Sequence, residues 1–295
     1  MLPSSREAQR EAAVLAIDDG DALGGKDALK KLLASGPDDG AALVEAARAL
    51  TFTGDLAGAK AHLDRAADLD ATPAARLARE RGRLALRHRD TKGALAALEQ
   101  SIAADERDFE AWLLLLDAEL VAGDTAEAKR VNDEILRKFP DRRDSGLVTG
   151  RVALISGRTN DALTDFKSAK TALVNAPRRA LADACFWVGY SFYAQGDFAN
   201  AMLQLAEATK HEATNADAYG ILGQIYVETQ DWVNAATTLA RAVELDPENP
   251  DAWFALGVAR QNLRRPKDAR TAFERYLASW PQGDRAAEAR QFLGR

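Results

Sequence analysis

The chain has 295 residues, 47% of them hydrophobic, and a net charge of -6 with a pI near 5.3. That balance argues against a general nucleic-acid binder, which carries an overall basic footprint. No apolar run approaches the roughly 20 residues of a membrane span, and a single cysteine excludes an intrachain disulfide and a cysteine-rich metal site.

The N-terminal stretch MLPSSREAQREAAVLAIDDGD has no charged region followed by an apolar one. Two expectations follow: a cytoplasmic protein as the sequence stands, or a periplasmic one from which a signal or anchor has been removed. Within residues 1–39, SREAQREAAVLAIDD and KDALKKLLAS read as two helical segments, a degenerate first hairpin.

From residue 40 onward a ladder of small residues runs through the chain. Ala59, Ala94, Ala128, Ala162, Ala201, Ala235 and Ala269 are separated by steps of 35, 34, 34, 39, 34 and 34. Gly82, Gly150, Gly189, Gly223 and Gly257 each fall twelve residues before a ladder alanine, and Gly54, Gly123, Gly157 and Gly196 each fall five before one. A period of this length marks a stacked array rather than a single globule. The array is expected to hold seven repeats over 40–281, starting near 40, 75, 109, 143, 182, 216 and 250, with a capping helix over 282–295.

Each unit reads as two amphipathic helices. In the unit from 216, Tyr219, Leu222, Ile225 and Tyr226 share one helical face, and Ala235, Ala236, Leu239, Ala242 and Val243 share another. The glycine five residues before the alanine suits the left-handed residue after a helix end. Asp55, Asp124, Asp197 and Asp231 follow at the start of the second helix, where negative charge is favoured. The glycine twelve residues before the alanine costs about 1 kcal/mol of helix propensity, so its recurrence implies a close helix crossing. The one step of 39 falls around KTALVNAPRRALADA. It is expected to lengthen the second helix before Pro177, as a tolerated insertion or as a bend between two halves of the array.

This pattern resembles the tetratricopeptide repeat (TPR) family, whose motif W/Y-x-x-L-G-x-x-Y, A-x-x-x-F/L-x-x-A, P is matched by Tyr219, Leu222, Gly223, Tyr226, Ala235, Leu239, Ala242 and Pro247. The match is strong from 182 to 249 and weaker upstream, where Trp112 and Pro140 support one unit and Gly150, Phe166 and Ala169 another. The resemblance implies an all-α, right-handed superhelical solenoid whose first helices line a concave groove.

Signatures of catalysis are absent: there is no phosphate-binding glycine loop and no H-E-x-x-H. His62, His88 and His211 lie in different repeats, which disfavours a metal cluster. Cys185, in the apolar run CFWVGYSF, reads as a buried, inert thiol. No enzyme and no cofactor are expected.

What remains is surface. The groove positions implied by the resemblance include Arg48, Arg79, Arg83, Arg87, Arg151, Phe186, Tyr190 and Gln224, with Arg76 and Tyr193 alongside. Arg76, Arg79, Arg83 and Arg87 put four guanidiniums on one helical face. They read either as a solvated face, partly neutralised by Glu110 and Asp117, or as a site for an acidic peptide, phosphate or terminal carboxylate. Phe186, Tyr190 and Tyr193 read either as packing between repeats or as a peptide anchor. The lysine and asparagine clamp of TPR proteins that bind chaperone tails is missing, since Gly220, Gln224, Phe254 and Val258 stand at the corresponding positions. The expected function is a scaffold that binds a partner protein or peptide, acidic in the arginine reading, and not nucleic acid. A bacterial cell-envelope assembly factor and a regulatory segment of a larger protein stand as alternatives.

Overall fold

The computed structural model describes residues 5–294, and among them it contains seventeen α-helices and no strand. α1 (Arg6–Asp18) pairs with α2 (Ala22–Ala34), α3 (Gly40–Phe52) with α4 (Leu56–Ala67), and α5 (Ala74–Arg87) with α6 (Thr91–Ala104). α7 (Phe109–Ala122) pairs with α8 (Thr125–Lys138), and α9 (Ser145–Ile155) with α10 (Thr159–Ala172). α11 (Arg178–Ala194) pairs with α12 (Phe198–His211), and α13 (Ala216–Glu228) with α14 (Trp232–Leu245). α15 (Pro250–Asn262) pairs with α16 (Pro266–Ser279), and α17 (Ala286–Leu293) packs against α16. The hairpins stack into a right-handed superhelical solenoid in which, from α1 to α15, each odd-numbered helix lies against the next odd-numbered one.

The turn within each hairpin is built the same way. The residues with positive φ are Gly20, Gly54, Arg89, Gly123, Gly157, Gly196, Gln230 and Arg264, one after the first helix of every hairpin. In six hairpins an aspartate then caps the second helix: the carboxylates of Asp21, Asp55, Asp90, Asp124, Asp197 and Asp231 each accept a backbone N–H three residues on. The ladder alanines are all fully buried or within 1% of it.

The glycines of the first helices mark close crossings, as their recurrence implied, and each faces one large side chain of the second helix. A Cβ on Gly82 would stand 2.5 Å from Leu98, on Gly189 2.8 Å from Leu205, on Gly223 2.5 Å from Leu239 and on Gly257 2.6 Å from Phe273. Gly150 meets Phe166 in the same way. The large side chain four residues after the ladder alanine fills the space that the glycine leaves, so glycine and leucine or phenylalanine form the complementary pair.

The 39-residue step is resolved differently from the expectation. α10 has 14 residues, the same as α8 and α12, whereas α11 has 17 against 13 for α13. The insertion lengthens the start of the next inner helix. Pro177 explains the placement: it cannot continue α10 and disfavours helix at Ala176, while its fixed φ of -50° suits a helix start, as does that of Pro73 before α5 at -64°.

The superhelix touches itself. The backbone N–H of Arg178 donates to Asp19 at 3.2 Å. Arg87 donates to the Leu245 carbonyl at 2.8 Å, and His88 Nδ1 lies 2.7 Å from Glu248. The turns at Gly20 and Gly54 press on backbone carbonyls of His211 and of Glu244 and Leu245. The first three hairpins are thereby seated on the start of α11, the end of α12, and the end of α14 with the loop that follows it.

Candidate functional site

The inner helices bring most of the sequence-predicted groove residues together, but not as free guanidiniums. Arg48, Arg79, Arg83 and Arg151 are buried, each less than 10% exposed. Arg83 bonds Glu80 at 2.7 Å and Glu110 at 2.5 Å. Arg79 bonds Glu80 at 2.9 Å and Asp108 at 2.8 Å. Arg48 bonds Asp18 at 2.6 Å and lies 3.4 Å from Glu110. Arg151 bonds Asp117 at 2.8 Å. Arg87 faces the self-contact, and Arg76 is the exposed member, 3.7 Å from the buried Glu45. The arginine stripe is therefore largely an internal ion-pair network: Glu110 neutralises it as expected from the sequence, Asp117 pairs instead with Arg151, and only Arg76 keeps a solvated face.

The network's electrostatics follow from its composition. Burial alone would raise the Glu110 carboxyl, but Arg83, Arg48 and Arg79 hold it well below the usual carboxylate range. Burial likewise works against the charged forms of Arg48 and Arg79, and the surrounding carboxylates more than reverse it. Asp117 is instead pushed up, chiefly by burial, against the opposing pull of Arg151.

Phe52 stands at the centre of the assembly. The guanidinium of Arg179 lies 3.5 Å from its ring centroid, that of Arg83 5.0 Å and that of Arg48 5.7 Å. Arg179 belongs to the additional turn at the start of α11, so the insertion delivers a cation to the core of the N-terminal half. Around this point lies a cavity of about 290 Å³, walled on one side by α3, α5 and α7 and on the other by α11 and the loop before α13. Sequence reading missed Glu45, Glu80 and Glu212, which complete the network, and Asp183, which lines the cavity without joining it. A signal existed for the first: Glu45 and Arg48 are the only charges in the apolar helix GAALVEAARALTF, spaced for one face.

The aromatic positions form a second region. Phe186 lies 6.1 Å from Tyr190, and Tyr190 lies 6.4 Å from Tyr193, all half-buried on α11. Trp187 joins the two regions, stacking 5.5 Å from Phe166 while Arg151 sits 4.9 Å from its ring. Tyr193 donates to Glu228 at 3.2 Å, and burial first, then Glu228, pushes its phenol up to about 12. The aromatics thus pack on one another while each stays half-buried. Gln224 is half-buried on α13. At Gly220, thirty-four residues after Phe186, a Cβ would meet nothing within 4 Å.

Two profiles described as tetratricopeptide repeat match the sequence, one over residues 222–294 and the other over 79–143 and 189–250, together more than half of the chain. The chain belongs to the tetratricopeptide repeat family. No curated protein sequence matches this TPR chain. Among solved structures it is similar to the APC/C hetero-tetramer Cut9–Hcn1, with a TM-score of 0.61 and 15% identity over 98% of this chain and 56% of that one. It is also similar to PilW, a widely conserved type IV pilus biogenesis factor, with a TM-score of 0.51 and 16% identity over 72% of this chain and 97% of that one. At these identities the likeness is one of fold, and the chain spans little more than half the length of the first.

Other chemistry is thinly represented in this TPR array. Among the described residues no group of three or more histidine, cysteine, aspartate or glutamate side chains could hold a metal ion, and no helix is long and apolar enough to cross a membrane. Cys185 is fully buried, and burial pushes its thiol up to about 11.

Proposed function

We propose that this TPR protein binds a segment of a partner protein on the inner face of α11 and α13, anchored by Phe186, Tyr190 and Tyr193. The observation that carries this reading is the pairing of an aromatic ladder with the empty space over Gly220. A glycine inside a helix costs about 1 kcal/mol relative to alanine, and at Gly223 and Gly257 close packing offsets that cost. At Gly220 nothing among the described residues does. Space beside half-buried aromatic rings suits an incoming backbone or side chain, since aromatics concentrate binding energy at interfaces. The arginine stripe is already neutralised from within, so an acidic partner would have to compete with Glu80, Asp108 and Glu110 for it.

The test is site-directed photo-crosslinking in native cells from position 193, with position 203 on the outer face of α12 as control, followed by affinity measurement on the protein captured. Tyr190→Ala should weaken that affinity at least about tenfold, about 1.4 kcal/mol, with unchanged helical content. Equal crosslinking from both positions, or an affinity that Tyr190→Ala leaves unaltered, would sink the reading.

A further inference from the structure

When each arginine around the central cavity is assigned its carboxylate, two lining carboxylates are left over, the solvent-exposed Asp217 and the half-buried Asp183. Asp183 on α11 makes no hydrogen bond and no close ion pair among the described residues. It lines the cavity of about 290 Å³ and also a wider hollow of about 560 Å³ that opens beside Pro177 and Arg107. The guanidiniums nearest to it are engaged elsewhere. Arg151 holds Asp117, and Arg179 lies 3.4 Å from Glu212 with its face against Phe52. A second group points the same way: Thr214 is 6% exposed, lines the same cavity, and its hydroxyl oxygen has no partner. The N–H groups left over on Arg87, Arg151 and Arg179 belong to guanidiniums already held through other atoms. Across the whole lining, four arginines face five carboxylates.

We propose that this cavity receives the positively charged side chain of a lysine or arginine from the partner segment, with Asp183 as its acceptor and the Thr214 hydroxyl oxygen as a second contact. Asp183 is half-buried; a carboxylate partly removed from water without a close counter-charge is unfavourable, and a cation that reaches it gains a charge-assisted hydrogen bond. The surroundings of Asp183 agree. Burial, then Glu212, pushes its carboxyl up to about 7, with Asp117 adding to the push and Arg179 and Arg151 opposing it. An added cation on the Asp183 side supplies what those two arginines, turned toward their own partners, do not. This assignment deepens the inner-face reading above by stating the partner's chemistry. It reverses the acidic character expected from the arginine stripe.

The probe is the peptide acetyl-Lys-Lys-Lys-amide, titrated calorimetrically into the full chain at pH 8, with acetyl-Glu-Glu-Glu-amide as the opposite charge. The lysine peptide should bind and the glutamate peptide should not. Asp183→Asn should weaken lysine-peptide binding at least about tenfold, and Thr214→Val about threefold, while Glu99→Gln on the exposed face of α6 leaves it unchanged. Far-ultraviolet circular dichroism of each variant reports that the fold is kept. In the unaltered protein, affinity should also fall as pH drops through about 7, the value to which Asp183 is raised, and Asp183→Asn should abolish that dependence. Tighter binding of the glutamate peptide, or lysine-peptide affinity within about twofold of the unaltered protein in Asp183→Asn, overturns the proposal. Because the short peptide need not reach the aromatic ladder, Tyr190→Ala should leave it bound. Lost partner affinity in Tyr190→Ala with no lysine-peptide binding anywhere would reject the cavity and leave the inner-face reading standing.

Discussion

Arg83 on α5 and Glu110 on α7 meet at 2.5 Å across the boundary between two adjacent repeats. The same carboxylate lies 3.4 Å from both Arg48 and Arg79, so one glutamate serves three buried guanidiniums. Removing one member of a buried ionic set leaves its partners uncompensated.

Glu110→Gln is therefore expected to cost roughly 3 kcal/mol, measured by urea unfolding at pH 7. The pH dependence has a definite sign. The folded Glu110 carboxyl lies well below its ordinary value. Its stabilisation is thus complete above the unfolded value of about 4.3 and is lost as pH falls through the lower folded value. The variant should show a shallower loss of stability on acidification, and parallel curves would contradict the network's role.

Asp183 should behave in the opposite sense. Its folded carboxyl is raised to about 7, against about 3.9 in the unfolded chain. The stabilising contribution of its proton is present below that unfolded value and disappears as pH rises through the folded one. Asp183→Asn should accordingly be more stable than the parent at pH 8, by on the order of 1–3 kcal/mol, with the difference vanishing near pH 4. Equal denaturation midpoints at pH 8 would show that the carboxylate finds compensation in the folded state.

Gly54 and Gly123 allow the self-contact to be isolated. Both have positive φ, +83° and +78°, so alanine is strained equally at either. Beyond that shared strain, a Cβ at Gly54 collides with the carbonyls of Glu244 and Leu245, whereas at Gly123 it meets nothing within 4 Å. Gly54→Ala should cost roughly 1–3 kcal/mol more than Gly123→Ala and should increase the radius of gyration measured by small-angle scattering. Identical losses with unchanged dimensions would mean that the contact contributes nothing.

Gly223 and Gly220, three residues apart on α13, should respond with opposite signs. Gly223→Leu must displace Leu239 and should cost roughly 1–3 kcal/mol or more. Gly220→Ala should stabilise by about 1 kcal/mol through helix propensity, while weakening partner binding. Thermal melts of the two single variants decide it, and a stabilised Gly223→Leu would place the crossing elsewhere.

The repeat was legible in the sequence because its cause is local. A left-handed turn residue, a capping aspartate and a glycine opposite a leucine each occupy fixed offsets within a single hairpin. The arginine stripe was legible as a stripe, since three- and four-residue spacing defines a helical face. Its burial was not, because Glu110, Asp18 and Asp108 come from neighbouring repeats and Arg179 arrives from the far side of the superhelix. Asp183 left no trace at all: nothing within its own helix distinguishes a carboxylate without a partner from one that has found a partner in another repeat. The insertion was visible as a count of five residues, but only the register of Pro177 decided which helix absorbed them.

A linear row of repeats unfolds by degrees, each unit depending on the two beside it. The contacts of Arg178 with Asp19 and of Arg87 with Leu245 break that rule, because they join units that are not neighbours in the row. The first hairpin then supports the sixth, and the loop after the seventh supports the third. Cooperativity extends around a closed circuit instead of decaying along a line, so trimming hairpins from the N-terminus should release strain and mobility in the C-terminal half, at the surface where the aromatic ladder lies.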